Sequence, residues 1–171
     1  MNENISTLKW LAALMCAGLL VMVSACKPKD SCNIPCINGV CVNNSCNCNS
    51  GFEGDSCTIR TTDKFIGSWD ATDSCETGNY GYTVTIVASS SIPNQLIISN
   101  FGRYGTTATV TASISGFTFT VLSQNVQNNS ITLSGSGTID TTTNTITVSY
   151  TAEEVVSHAT DACSGVWAKM Q

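Results

Sequence analysis

The stretch Ala108–Val121, reading ATVTASISGFTFTV, decides the fold class. Ala108, Val110, Ala112 and Ile114 alternate with Thr109, Thr111 and Ser113. After the tight Ser115-Gly116 turn, Phe117, Phe119 and Val121 alternate with Thr118 and Thr120. A period of two sends apolar side chains to one face and hydroxyls to the other, as in a half-buried strand. Two such runs joined by a glycine turn read as an antiparallel hairpin. The same pattern recurs on both sides. Tyr82, Val84 and Ile86 alternate with Thr83 and Thr85, and Ile146, Val148 and Tyr150 alternate with Thr147 and Ser149. Ile131, Leu133 and Ile139 flank Gly135 and Gly137. Less regular segments at 66–72, 95–101 and 162–170 complete eight strands over residues 62–171, with no convincing helix.

Eight sequential antiparallel strands with one apolar face can close into an up-and-down β-barrel, which removes the exposed edges. A β-sandwich is the alternative that the pattern leaves open. Cys75 follows the first strand and Cys163 opens the eighth. In a closed meander the first and last strands are antiparallel neighbours, so the barrel topology predicts a Cys75–Cys163 disulfide. Inward Trp69, Tyr82, Phe117 and Phe119 would then line a pocket or fill the lumen, and strands this short favour filling.

Composition narrows the function classes. Of the 110 residues from Thr62 onward, 35 are Ser or Thr. Charged residues make up 11% of the chain, against roughly 25% in soluble domains. The net charge of −5 is carried entirely by residues 62–171 and excludes phosphate-backbone binding to nucleic acid as a main function. Ten cysteines point to an oxidising compartment and a disulfide framework.

The N-terminal segment fits export. Leu11–Val23 is an apolar run with the length of a signal-peptide core, too short for the roughly 20 residues of a membrane-spanning helix. Cys16 lies inside it. The run closes in Val23-Ser24-Ala25-Cys26: an aliphatic residue, two small residues and a cysteine. This resembles the lipobox of bacterial lipoproteins. The resemblance implies a signal peptide at 1–25, lipidation of Cys26 with palmitate-class acyl chains, and a lipid-anchored tether at 26–31. Two or more acyl chains hold a protein stably on a membrane where one does not. Lys27 stands where an aspartate would favour inner-membrane retention, so the outer membrane is expected, its surface or periplasmic face left open.

Cys32, Cys36, Cys41, Cys46, Cys48 and Cys57 are spaced C-x3-C-x4-C-x4-C-x-C-x8-C, which by itself allows fifteen pairings. Asn38-Gly39 is a tight-turn pair, and Gly51-Phe52-Glu53-Gly54 a second turn before the last cysteine. Residues 32–57 resemble an EGF-like domain. That resemblance implies the pairs Cys32–Cys41, Cys36–Cys46 and Cys48–Cys57. Only Asp30-Ser31 stands where calcium-binding members carry an acidic cluster, so no calcium site and no other metal is expected. Further on, Phe65-Ile66-Gly67-Ser68-Trp69 resembles the G-x-W opening of lipocalin-like (calycin) barrels, which implies that Trp69 plugs one barrel end. The domain is also similar to compact barrels of bacterial lipoproteins of unknown function.

Catalytic groups are sparse. His158 is the only histidine, in a loop with Glu153, Glu154 and Asp161, and reads as a solvated surface group. Nucleophile elbows, P-loops, dinucleotide fingerprints and H-E-x-x-H are absent. Asp70, Asp73, Glu76 and Asp161 are expected to form a solvated acidic rim near the disulfide end. Arg103-Tyr104, between Gly102 and Gly105, reads as an exposed loop pair. The expectation is therefore a non-catalytic, cofactor-free, membrane-anchored binding or adhesion module with an extracytoplasmic protein or glycan partner. The alternative is a calycin-like carrier of a small apolar ligand inside the barrel.

Overall fold

The structure, a computed structural model, describes residues 32–171. The lipidation site at Cys26, the tether and the signal segment lie outside the described residues. The described residues fold almost entirely as β-structure. A disulfide-rich N-terminal region carries β1 (Gly39–Val42), β2 (Ser45–Cys48), β3 (Phe52–Glu53) and β4 (Ile59–Arg60). Eight longer strands follow: β5 (Gly67–Cys75), β6 (Gly78–Ala88), β7 (Gln95–Ser99), β8 (Thr109–Ser115), β9 (Thr118–Val126), β10 (Ile131–Asp140), β11 (Thr145–Glu154) and β12 (Thr160–Lys169).

In the N-terminal region β1 and β2 form a hairpin whose turn is Asn43-Asn44, both left-handed at φ 49° and 61°. Asparagine tolerates that conformation, which a tight hairpin turn demands. The expected turn pair Asn38-Gly39 is displaced from this role: Gly39 opens β1. A Cβ there would lie 2.5 Å from the Asn47 carbonyl oxygen and 2.9 Å from Cys57 Sγ. Glycine is needed at that point for close approach of two segments. The region is stapled by Cys32–Cys41, Cys36–Cys46 and Cys48–Cys57, with Cα atoms 5.8, 5.5 and 5.3 Å apart.

Strands β5 to β12 close into an eight-stranded antiparallel barrel in which each strand pairs with its sequence neighbours and β12 returns to β5. This closed ring replaces the β-sandwich alternative. Cys75 and Cys163 face one another across the closing pair and are bonded. Cys75 is the last residue of β5 rather than beyond it, and Cys163 sits three residues inside β12, because pairing extends both strands at this end.

The lumen is filled. Phe65, Trp69, Phe101, Phe119 and Trp167 are fully buried, with Phe119 and Trp167 stacked at 6.1 Å between ring centroids. Phe101 meets Trp167 edge-on at 5.6 Å, and Trp69 Nε1 donates to the Phe65 carbonyl at 2.9 Å. Phe117 does not point inward. It sits in the β8–β9 turn, 55% exposed, with Lys64 Nζ 4.5 Å above its ring. Gly116-Phe117 is the two-residue turn between the paired Ser115 and Thr118, so the inward phase restarts at Phe119. A short 3₁₀ turn at Phe101–Arg103 is the one departure from β-structure and turns within 62–171.

Candidate functional site

At the end of the barrel marked by Cys75–Cys163, the inward-facing rows change character. Along β6 the sequence Ile86, Val84, Tyr82, Tyr80 runs from apolar to phenolic, and along β11 Ile146 and Val148 give way to Tyr150. Along β5, Trp69 and Ala71 are followed by Asp73 and Cys75. With Tyr104, from the β7–β8 connection, all four tyrosines of the chain line one mouth of about 60 Å³, together with Arg103, Asp161 and the disulfide.

Asp73 is the keystone beneath it. The expected acidic rim does not form. Asp73 is 1% exposed and accepts hydrogen bonds from Tyr82 OH, from Tyr150 OH at 2.9 Å and from Trp167 Nε1 at 3.1 Å. Three donors from three strands satisfy a carboxylate that would otherwise be costly to bury. Gly165, directly opposite Asp73 on β12, makes the space: a Cβ there would lie 2.0 Å from Asp73 Oδ1. Asp70 and Glu76 are exposed, and Asp161 accepts from the Thr77 backbone amide at 3.2 Å and from its hydroxyl. Parity explains the separation, since Asp73 shares the phase of Trp69 and Ala71 while Asp70 takes the outward phase. That shared phase was the sequence signal for a buried aspartate.

Burial, reinforced by hydrogen bonding to Asp73, pushes the Tyr82 phenol far above its ordinary range. Burial and the Asp73 charge do the same for Tyr150. Tyr104 is raised by burial and then by nearby Asp161. Tyr82 and Tyr150 thus meet Asp73 as neutral donors.

The loop over the mouth is wound tightly. Asn100, Gly102 and Arg103 all have left-handed backbones, at φ 61°, 65° and 70°. Holding a non-glycine residue there costs of order 1 kcal/mol or more, and such strain gathers at functional sites. The loop is fastened by Asn100, whose Oδ1 accepts from the Gly105 amide at 2.8 Å and whose Nδ2 donates to the Thr83 carbonyl at 2.8 Å. Gln127 Nε2 donates to the Tyr104 carbonyl at 2.8 Å. The result sets the Arg103 guanidinium 3.7 Å over the Tyr80 ring. Tyr104 is therefore half-buried and packed against the core, not an exposed partner of Arg103.

The other expected groups are not assembled. His158 Nδ1 lies 2.9 Å from Glu153 Oε1, both exposed, while Glu154 accepts from Ser157 and Asp161 from Thr77. Cys75, Asp161 and Cys163 come together, as do Cys32, Cys36 and Cys46. In both groups the sulfurs are disulfide-bonded and lack the thiolate that ligates a metal. Among the described residues no helix is long and apolar enough to cross a membrane.

No protein-family description and no curated protein matches the chain. A solved protein of unknown function from Bacteroides ovatus is similar in structure, with 13% sequence identity and a TM-score of 0.40. The match covers 61% of this chain and 41% of that one, so the chain spans less than half of that protein's length.

Proposed function

We propose that this chain is a non-catalytic lipoprotein of the outer membrane, anchored through Cys26, that binds an extracytoplasmic protein through its tyrosine-lined mouth. In this reading residues 32–57 are an EGF-like spacer and the barrel is a compact calycin-like domain. The observation that carries it is the convergence of Tyr80, Tyr82, Tyr104 and Tyr150 with Arg103 on one mouth above a filled lumen. Tyrosine and arginine are among the side chains enriched at the energetic hot spots of protein contacts, offering large contact area with a polar tip. The strained loop that holds Arg103 over Tyr80 adds a pre-organised cation. A carrier would need an enclosed cavity of about 300 Å³ or more, and the aromatic side chains occupy that space.

The test separates anchor from contact. Cys26→Ser should move the chain to the soluble fraction, and mass spectrometry of the mature N-terminus should find acylation only in the wild type. Purified residues 32–171 should bind isolated envelopes. Arg103→Ala with Tyr104→Ala should abolish that binding while leaving the far-ultraviolet spectrum unchanged. Undiminished binding by the double variant would contradict the mouth as the contact.

A further inference from the structure

We propose a second binding site, independent of the mouth, for an acidic sugar in the cleft where the N-terminal region meets the β6–β7 loop. The cleft measures about 150 Å³ and lies between Phe52, Arg60 and Thr62 on one side and Ser89–Pro93 on the other. A cavity of that size accommodates a six-membered ring, and clefts between modules are favoured places for small ligands.

Its walls are fixed by backbone. Gly51 has φ 88°, and a Cβ on it would lie 2.4 Å from Pro93 Cβ and 2.8 Å from the Pro93 carbonyl carbon. Only glycine lets the two segments touch there. The Gly51 carbonyl accepts from the Thr61 amide at 3.0 Å, which locks the strand carrying Arg60 to the same point. Opposite, Ser89 Oγ accepts from the amides of Ser91 and Ile92 at 3.3 and 3.2 Å, a local turn that sets the loop's shape.

Three features of the lining point to the ligand class. Thr62 is 1% exposed, lines the cleft, and its hydroxyl has no hydrogen-bond partner among the described residues. A buried hydroxyl left unpaired is costly, so a polar ligand group would meet a standing demand. Arg60 takes part in no ion pair among the described residues and is the cross-strand partner of Phe52, which puts the two side chains on one face of the strand pair. Ser90 and Ser91 add exposed hydroxyls, and Phe52 with Pro93 adds apolar faces. A pyranose ring bearing a carboxylate uses all of these: its carboxylate meets Arg60, its hydroxyls meet the serines and Thr62, and its C–H face meets Phe52. A bare anion would leave the hydroxyls and the ring unused.

The experiment is a heteronuclear NMR titration of the chain from residue 32 onward, using D-glucuronate, D-glucose and acetate as probes. Glucuronate should shift the amides of Gly51, Phe52, Arg60 to Thr62 and Ser89 to Ile92, with at least about tenfold weaker response to glucose and acetate. Arg60→Gln should bring the glucuronate response down to that of glucose. Thr62→Val should weaken glucuronate binding yet keep or raise the melting temperature, because it removes an unpaired buried hydroxyl. Equal shifts with glucose or acetate would overturn the proposal, and so would shifts confined to Tyr80, Arg103 and Tyr104, or a Thr62→Val variant that binds as tightly as the wild type.

Discussion

The disulfide-rich region and the barrel hold their shapes by opposite means. Between residues 32 and 61 the one fully buried apolar side chain is Cys57, while Ile37 and Val40 are 61% and 58% exposed. Three disulfides stand in for a core, each closing a loop of 9 or 10 residues. The barrel has the reverse arrangement: a continuous aromatic and aliphatic core with a single disulfide spanning 88 residues. A segment of about 30 residues cannot bury enough area to offset its chain entropy, so it depends on covalent staples. A closed barrel of 110 residues can rely on packing, which frees it to spend polar residues at one end.

The largest expected break in this comparison comes from removing the three N-terminal disulfides. Replacing the six cysteines between 32 and 57 by alanine removes about 2–3 kcal/mol per disulfide and should leave that region unfolded. The barrel's two tryptophans, Trp69 and Trp167, should keep their buried fluorescence. Cooperative loss of both regions together would show that the barrel leans on its neighbour.

Next is the barrel's own staple. Cys75→Ala with Cys163→Ala should cost about 4–5 kcal/mol on the chain-entropy account of a long loop. Chemical denaturation of the double variant checks this, with β5 and β12 the first strands to lose hydrogen-exchange protection. Gly165→Ala should cost about 3 kcal/mol, because its methyl group collides with Asp73 and with the Thr72 carbonyl oxygen 2.7 Å away. The same substitution at exposed Gly116, where a Cβ meets nothing within 4 Å, acts only through its turn conformation.

A gentler probe is pH. Tyr82 and Tyr150 have folded-state values raised above the ordinary 10.0, so the fold favours their neutral forms. That stabilisation is fully present below pH 10.0 and is lost as pH rises from there through the folded values. Denaturation midpoints should be insensitive to these groups up to about pH 10 and fall beyond it. By absorbance, both phenols should ionise only with unfolding, and early ionisation of either would mean that the Asp73 cluster is open to water.

Much of the barrel was legible in the chain. The alternation over Ala108–Val121, repeated across eight segments, carries the strand number. Up-and-down topology then pairs Cys75 with Cys163. Alternation alone does not mark where a strand passes into a turn, as at Phe117, nor what a polar residue does when it falls in the inward phase. Asp73 looks like any surface acid until its phase is matched to Trp69, and its partners come from β6, β11 and β12, 9 to 94 residues away. The mouth is likewise non-local: Arg103 and Tyr104 reach it through three left-handed residues in a short loop, a conformation with no periodic signature. The junction cleft depends on Gly51 touching Pro93, a contact between modules that neither module's pattern contains.

In the proposed function the mouth, and not the barrel wall, meets the partner. A photo-crosslinking residue placed at position 103 of the full-length protein in intact cells tests it against the same residue at position 122, where Leu122 lies 72% exposed on the barrel surface. A discrete crosslinked species is expected from position 103 and none from position 122. Equal yields from both positions, or adducts from position 122 alone, would contradict it.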